Sequence, residues 1–551
     1  MRKCYDKVAS TYPKEYMSVT LTCSVNNFIQ WDQGFEKSNI LWFGLCILCI
    51  GLMLRWWQMK KRYWDYFAQI PGPFALPFIG NLVQLNVDLD ELYCLMVGMR
   101  LLWGSEEGIS KAWLGQKPYV FVSKASTVEP ILCSSRLVDK SEDYKFLQPW
   151  LGTGLLTSSG AKWHSRRKAL TPTFHFNILE DFVQIFAEQT DILVKKISSE
   201  VGRASFNIFP YVTLCTLDII CETAMGRRIS AQSLSDSNYV RAVYEIGSIV
   251  QTRSASLFYQ SDFFFRFSSL YRKHKKCIRI LHDFSKKVIA ERKKEILDDA
   301  NEINGNKGSN YSLLVKKKRL AFLDLLIKAS ENGYALTDND IREEVDTFMF
   351  EGHDTTSSAI CWTIYLLGCH PEVQKKVVDE LDLIFSQGYN ERQPTLQDLK
   401  SMKYLEKCIK EALRLYPSVP LLGRNMTEDL KLGNYIVPKG TTVLMVLPVL
   451  HRDPEVFENP EKFDPDRFSS KNCIKRSPYA YIPFSAGTRN CIGQKFALLE
   501  EKCIISGILR KFVIEAAERR EDIRISAELI IRAKNGLHIK IKSRSTKHST
   551  L

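Results

Sequence analysis

Cys491 stands in the run FSAGTRNCIG, Phe484 to Gly493, with no other cysteine or histidine within ten residues on either side. A zinc site gathers several such ligands, whereas a single thiolate on iron needs a cysteine without close partners, and this isolation meets that need. Gly487 and Gly493 give the run the backbone freedom for a tight return and for close approach of a flat macrocycle. Arg489, two residues from the sulfur, can neutralise a haem propionate, and Phe484 can shield the sulfur from water. A helix starting at Gln494 would aim its first N–H groups at the thiolate. The chemistry of such a site is electron donation to haem iron, which favours O–O cleavage.

A second group lies upstream. Thr337-Asp338-Asn339-Asp340 reads as an N-cap with an acid at the third position. The helix it opens runs through EEVDTFMFEGHDTTSSAICWTIYLL to about Leu367, and Glu351, Asp354, Thr355, Thr356 and Ser357 interrupt its apolar character. A solvated face is one explanation. The flanking TFMF and AICWTIYLL argue for burial, where polar groups cost free energy unless satisfied. Elsewhere Glu411 and Arg414 in KEALR share one helical face and can pair.

The spacing FxxGxRxCxG resembles the haem loop of the cytochrome P-450 superfamily, with Cys491 at the position of its axial ligand. Other stretches match in the family's order. Trp163 and Arg167 fit a WxxxR helix that implies contacts to a haem propionate. Glu411 and Arg414, with Arg467 of FDPDRF, fit a buried network behind the haem, although Asp466 replaces the more usual glutamate. Arg424, in LLGRNMTEDL, lies where related enzymes place a propionate-binding residue. Thr355 matches the threonine that hydrogen-bonds dioxygen, and Asp354 the acid that relays protons. The run EVDTFMFEGHDTT looks like the signature of family 4, in many of whose members the glutamate at Glu351 is esterified to a haem methyl. The resemblance implies that ester here. The alternative is a non-covalent carboxylate near the haem edge.

The resemblance covers roughly residues 70 to 543. It implies a mainly α fold, a large helical domain with a small β-rich part. It implies haem b, dioxygen, and electrons from NADPH through NADPH-cytochrome P-450 reductase, with cytochrome b5 as a further donor. The expected reaction is monooxygenation of a lipophilic substrate, first of all terminal hydroxylation of long-chain fatty acids or related lipids. Rival readings are a xenobiotic or hormone/terpenoid oxidase and a haem lipid-binding protein without turnover. Lys475, Arg476 and Lys495 either form a basic docking face for an acidic partner or are plain solvated charges.

Ordinary globular composition frames these motifs: 551 residues, 45% hydrophobic and 25% charged. It excludes wholesale disorder, a collagen-like fibre and a polytopic membrane protein. The net charge of +14 suits nucleic acid, anionic lipid or an acidic protein. No Walker motif and no GxGxxG after a strand appears, and no nucleic-acid partner is expected. The 15 cysteines do not read as a disulfide scaffold. Residues 40–57 form a candidate transmembrane signal anchor, closed by Trp56 and Trp57 and followed by Lys60, Lys61 and Arg62. A cleaved signal peptide and a buried core helix are the alternatives. The organisation expected is a lumenal tail 1–39, the anchor, a basic and Pro-rich hinge 58–78, a catalytic domain 79–543 on the cytosolic side of the endoplasmic reticulum membrane, and a polar tail 544–551. The Cys46–Cys49 pair lies inside the apolar run and is not read as a metal site. Asp298–Asn310 reads as a solvent loop. Ser256–Lys276 reads as a core helix with a basic end or as a second membrane-contacting surface. The sequons at Asn310 and Asn425 should face the cytosol and stay unused.

Overall fold

The computed structural model describes residues 36–84, 87–174, 176–233, 238–256, 258–305, 321–331, 336–386 and 392–544. Helix α1, Glu36–Gln69, carries the apolar run, and its stretch Trp42–Met59 is long and apolar enough to cross a membrane. None of that stretch is buried against the rest of the chain, which removes the core-helix alternative. The helix continues unbroken to Gln69, so residues 58–69 belong to it and not to the expected hinge. Pro71, Gly72 and Pro73 then stop it, because proline lacks the N–H that a helix interior needs.

A four-stranded sheet follows. β1 (Ile109–Leu114) pairs antiparallel with β2 (Lys117–Val122). The helices α2 (Gly160–Leu170), α3 (Phe176–Ile197), α4 (Phe209–Thr223), α5 (Asn238–Ala255) and α6 (Ser269–Gly305) come next. Then come α7 (Asp338–Cys369), α8 (Lys403–Leu415), β3 (Leu421–Asn425), β4 (Thr442–Val446) and α9 (Gln494–Lys511). The late strand β4 inserts parallel to β2 and antiparallel to β3, closing the sheet across more than 300 residues of chain.

Helix α7 is the axle. The capping box read in the sequence is formed: Thr337 Oγ1 accepts from the Asp340 N–H at 3.2 Å, and the Asp340 carboxylate accepts from the Thr337 N–H at 3.0 Å. From Ile341 onward it is buried almost all round, with α4, α8 and α9 packed on it. A helix apolar on every side belongs inside a large core. The whole is mainly α with small sheets, as expected.

Two local readings change. The backbone of α6 is helical to Gly305, so Asp298–Gly305 is not loop; Ala300 and Glu302 favour helix and no proline interrupts it. The rest of that polar stretch, with the Asn310 sequon, lies outside the described residues, as do the tail 1–35 and residues 545–551. In Ser256–Lys276, Phe265 is buried but Phe258, Phe263, Phe264 and Phe267 are exposed, the last at 79%, which does not suit a core helix.

Candidate active site

A cavity of about 400 Å³ opens between the Cys491 loop and the middle of α7. Cys491, Phe484, Arg489 and Gly493 line it from the loop, Trp163 and Arg167 from α2, and Glu351 and Thr355 from α7. The segment 527–530 and the α5 residues Val250, Gln251 and Ser254 complete one wall.

The loop is held by its own backbone. The Cys491 N–H donates to the Phe484 carbonyl at 2.9 Å, and Asn490 to Gly487 at 3.2 Å. Gly487 has φ +72°, and a Cβ there would stand 2.0 Å from the Leu132 carbonyl oxygen. Only glycine meets both conditions. Gly493 opens α9 and gives its N–H to the Cys491 sulfur, which lowers the thiol pKa; burial outweighs that pull and pushes it up to about 11. Cys503, three turns along α9, is buried against Thr190 and does not line the cavity.

Arg167 donates to the backbone and side-chain oxygens of Asn490 at 2.7 and 2.8 Å, fixing the residue beside Cys491. Arg489 lies 4.9 Å over the Trp163 ring and donates to the carbonyls of Val138, Leu156 and Ser158. Burial, then the nearby Arg424, lowers its pKa to about 10. Arg424 is buried and bonds the Gly423 carbonyl at 3.0 Å, but it stands behind the cavity wall. Lys140, which the motifs did not point to, lines the cavity with its Nζ 3.2 Å from the Tyr144 hydroxyl. Burial, with Arg424 and Arg489, pushes its pKa well down. Lys140 and Arg489 on the cavity and Arg424 behind its wall disfavour one another's charge, and with Cys491 lining the same cavity they suit a ligand carrying carboxylates and an iron. The residues therefore fit haem, with Cys491 as its thiolate and the cations around its propionates.

On α7, Thr355 donates to the Glu351 carbonyl at 2.6 Å while Ser418 donates to the Thr355 carbonyl at 2.8 Å. Burial pushes the Glu351 carboxyl up to about 7, with Lys140 opposing and Asp354 adding to the shift. Asp354 does not line the cavity: it is buried and ion-paired with Arg532. Arg532 stacks 3.9 Å over Tyr244 and meets Glu528 at 3.4 Å. Burial works against its charge, but Asp354, Tyr244 and Glu528 outweigh that and hold its pKa above the usual arginine value. The sequence reading missed Arg532. Its one signal was a charged residue following the apolar run Leu529-Ile530-Ile531, which implies a buried partner.

Glu411 and Arg414 form two hydrogen bonds at 2.7 and 2.8 Å, both fully buried. Arg467 approaches Glu411 at 3.4 Å and gives its own hydrogen bond to the Asn459 carbonyl. Arg414 also bonds the His451, Pro460 and Lys462 carbonyls, tying α8 to the segment that leads to the Cys491 loop. Of the basic residues near that loop, Arg476 is spent on the Arg467 carbonyl and the Phe457 and Phe468 rings, whereas Lys475 and Lys495 are exposed.

The family described as Cytochrome P450 matches residues 70–541. Cytochrome P450 4c3 of Drosophila melanogaster is 57% identical over 490 residues, 88% of this chain and 91% of its own. Human cytochrome P450 4V2 is 49% identical over 494 residues, again 88% and 91%. Drosophila melanogaster cytochrome P450 4d2 is 41% identical over 506 residues, 91% and 99%.

Proposed function

The chain belongs to the cytochrome P450 family and is a haem-dependent monooxygenase, and from that premise we propose that it hydroxylates long-chain fatty acids or related lipids at or near the terminal carbon. The observation that carries this reading is Glu351: an acid on α7 whose side chain lines an otherwise largely apolar cavity together with Cys491. Bound haem supplies the activation of dioxygen, consuming two electrons and two protons per turnover. Cys491 would be its thiolate ligand, with Gly493 donating to the sulfur. Trp163, Arg167, Arg489 and Lys140 would orient it through the propionates, with Arg424 adding positive charge from behind the wall. Thr355 would hold a proton at its hydroxyl for the oxygen side of the pocket, and Asp354 would serve proton entry from the Arg532 side. Phe484, Leu155 and Phe350 keep water from the walls.

An ester from Glu351 to the haem would make the pocket rigid, which suits attack on a terminal carbon where inner C–H bonds are weaker. Electrons would come from NADPH-cytochrome P-450 reductase, with cytochrome b5 as a further donor, at a face containing Lys475 and Lys495. The exposed apolar α1 supports an endoplasmic reticulum anchor with the body in the cytosol.

The test is reduced-plus-carbon-monoxide spectroscopy and mass spectrometry of wild type and Glu351→Ala, with NADPH turnover on lauric and arachidonic acids. Support is a thiolate-type spectrum, haem retained after acid denaturation in wild type alone, and a terminal alcohol. Freely extractable haem in wild type removes the covalent link, and the absence of a thiolate spectrum removes the role of Cys491.

A further inference from the structure

The last turn of α5 sorts its polar side chains. Gln251 and Ser254, three residues apart on one helical face, line the cavity with Val250. Arg253, between them in sequence, points away. Its Nε donates to the Tyr259 carbonyl at 2.9 Å, and its other arm pairs with Asp262 of the short helix Asp262–Arg266. Its guanidinium sits 4.7 Å from the Phe146 ring and 4.2 Å from the Phe265 ring, and the residue is 5% exposed. Arg253 is therefore locked away from the wall, and Arg532, which meets the wall residue Glu528 at 3.4 Å, is held by Asp354.

The cavity's own cations are committed too. Arg167 is bonded to Asn490, Arg489 to backbone carbonyls, and Lys140 to Tyr144 beside the Arg424–Arg489 group. Ser254 spends its hydrogen on the Val250 carbonyl at 3.0 Å and keeps an acceptor lone pair. Gln251, half-buried, has no hydrogen-bond partner among the described residues, so its amide offers two donors and an acceptor to whatever fills the cavity.

We infer that Gln251 reads the polar end of the substrate, and that this end is an uncharged hydrogen-bonding group, a hydroxyl, amide or ester carbonyl on a long aliphatic chain, in preference to a free carboxylate. This rests on the proposed function's placing a lipid in the cavity, and within that reading it favours the related neutral lipids over free fatty acids. A neutral amide pairs with such groups without desolvating an ion, whereas a carboxylate brought to this wall would lose its water with no cation to replace it.

The experiment is equilibrium dialysis of radiolabelled 1-dodecanol, laurate and dodecane against the full-chain holoenzyme in detergent at pH 8, for wild type, Gln251→Leu, Gln251→Asn and Gln251→Lys. The reduced-plus-carbon-monoxide spectrum of each variant reports an intact haem pocket. Wild type is expected to bind dodecanol about tenfold more tightly than dodecane, and more tightly than laurate. Gln251→Leu should erase the dodecanol advantage and leave dodecane within about twofold, as expected when one hydrogen bond is lost. Gln251→Asn should keep part of the advantage, and Gln251→Lys should turn the preference to laurate. A laurate preference that Gln251→Leu does not move, or an equal loss for all three ligands, overturns the assignment and leaves the lipid reading standing. Failure of every ligand to bind wild type with an intact spectrum overturns the lipid reading and this assignment with it.

Discussion

Arg532 holds the buried Asp354 carboxylate from a position 178 residues further along the chain, its own side chain only 11% exposed. Removing one partner of a buried pair strands the other charge, at a cost of about 3–5 kcal/mol. Arg532→Leu is therefore expected to destabilise the protein by that order, read as a fall in the denaturation midpoint. Arg532→Leu combined with Asp354→Leu should recover most of the loss. A double variant no more stable than the single would count against the pairing as the cause.

Gly487 and Gly493 flank Cys491 but tolerate a methyl group differently. An alanine at 487 meets both a positive φ, worth about 1–2 kcal/mol, and the Leu132 carbonyl. At 493 the added carbon finds only the Cys491 sulfur, at 4.0 Å. Gly487→Ala is expected to purify with a clearly lower haem-to-protein ratio, and Gly493→Ala with a ratio nearer wild type. Equal ratios would contradict the geometry.

Glu406 bonds Lys410 and Lys502, both at 2.7 Å. Burial raises its pKa, but the two lysines outweigh burial and bring it to about 2 from an ordinary 4.5. The folded state thus holds the proton more weakly than the unfolded state. The stabilisation is fully present above about pH 4.5 and drains away as pH falls towards 2. Glu406→Gln should lose about 1–2 kcal/mol at pH 7, discounted for partial exposure, and show a flatter decline below pH 4.5. Denaturant titrations at pH 7, 5 and 3.5 provide the comparison.

What was legible followed from how local each piece of chemistry is. Cys491, Gly487 and Arg489 lie within one loop, so spacing alone presents them, and Glu411 and Arg414 need only one helical turn. The capping box at Thr337 is likewise a matter of four residues. Lys140, Tyr144 and Arg532 carry no such spacing. They reach the site because β4 inserts beside β2 and because the C-terminal segment folds back onto α7, long-range closures that periodicity does not encode. The unbroken course of α1 to Gln69 was also missed: the basic cluster after Trp57 reads as the end of a membrane span, but the end of such a span need not end its helix. Arg253 shows the same limit, since its direction depends on Asp262 and two phenylalanine rings.

The exposed Phe258, Phe263, Phe264 and Phe267 form a cap continuous with the short helix that grips Arg253. If they rest in a bilayer, serine at 263 and 267 should reduce lipid-to-protein energy transfer from the full chain in vesicles, without changing the reduced-plus-carbon-monoxide spectrum. Unchanged transfer would leave that surface facing water.

Helix α1 does not hang from the body. Phe67 is buried against Trp113 at 5.4 Å, its carbonyl accepts from Lys111, and the Lys111 N–H bonds the Pro71 carbonyl at 2.8 Å. The rod is clamped at Phe67 and continuous from there back through Trp42. Residue count between those points therefore acts as an angular dial. Each residue deleted there turns the body by about 100° around the rod and draws it about 1.5 Å closer to the rod's apolar end. A single deletion would swing the phenylalanine cap to a new bearing about the rod, and four in a row would bring it back to within about 40° of its first bearing, about 6 Å closer to the apolar end.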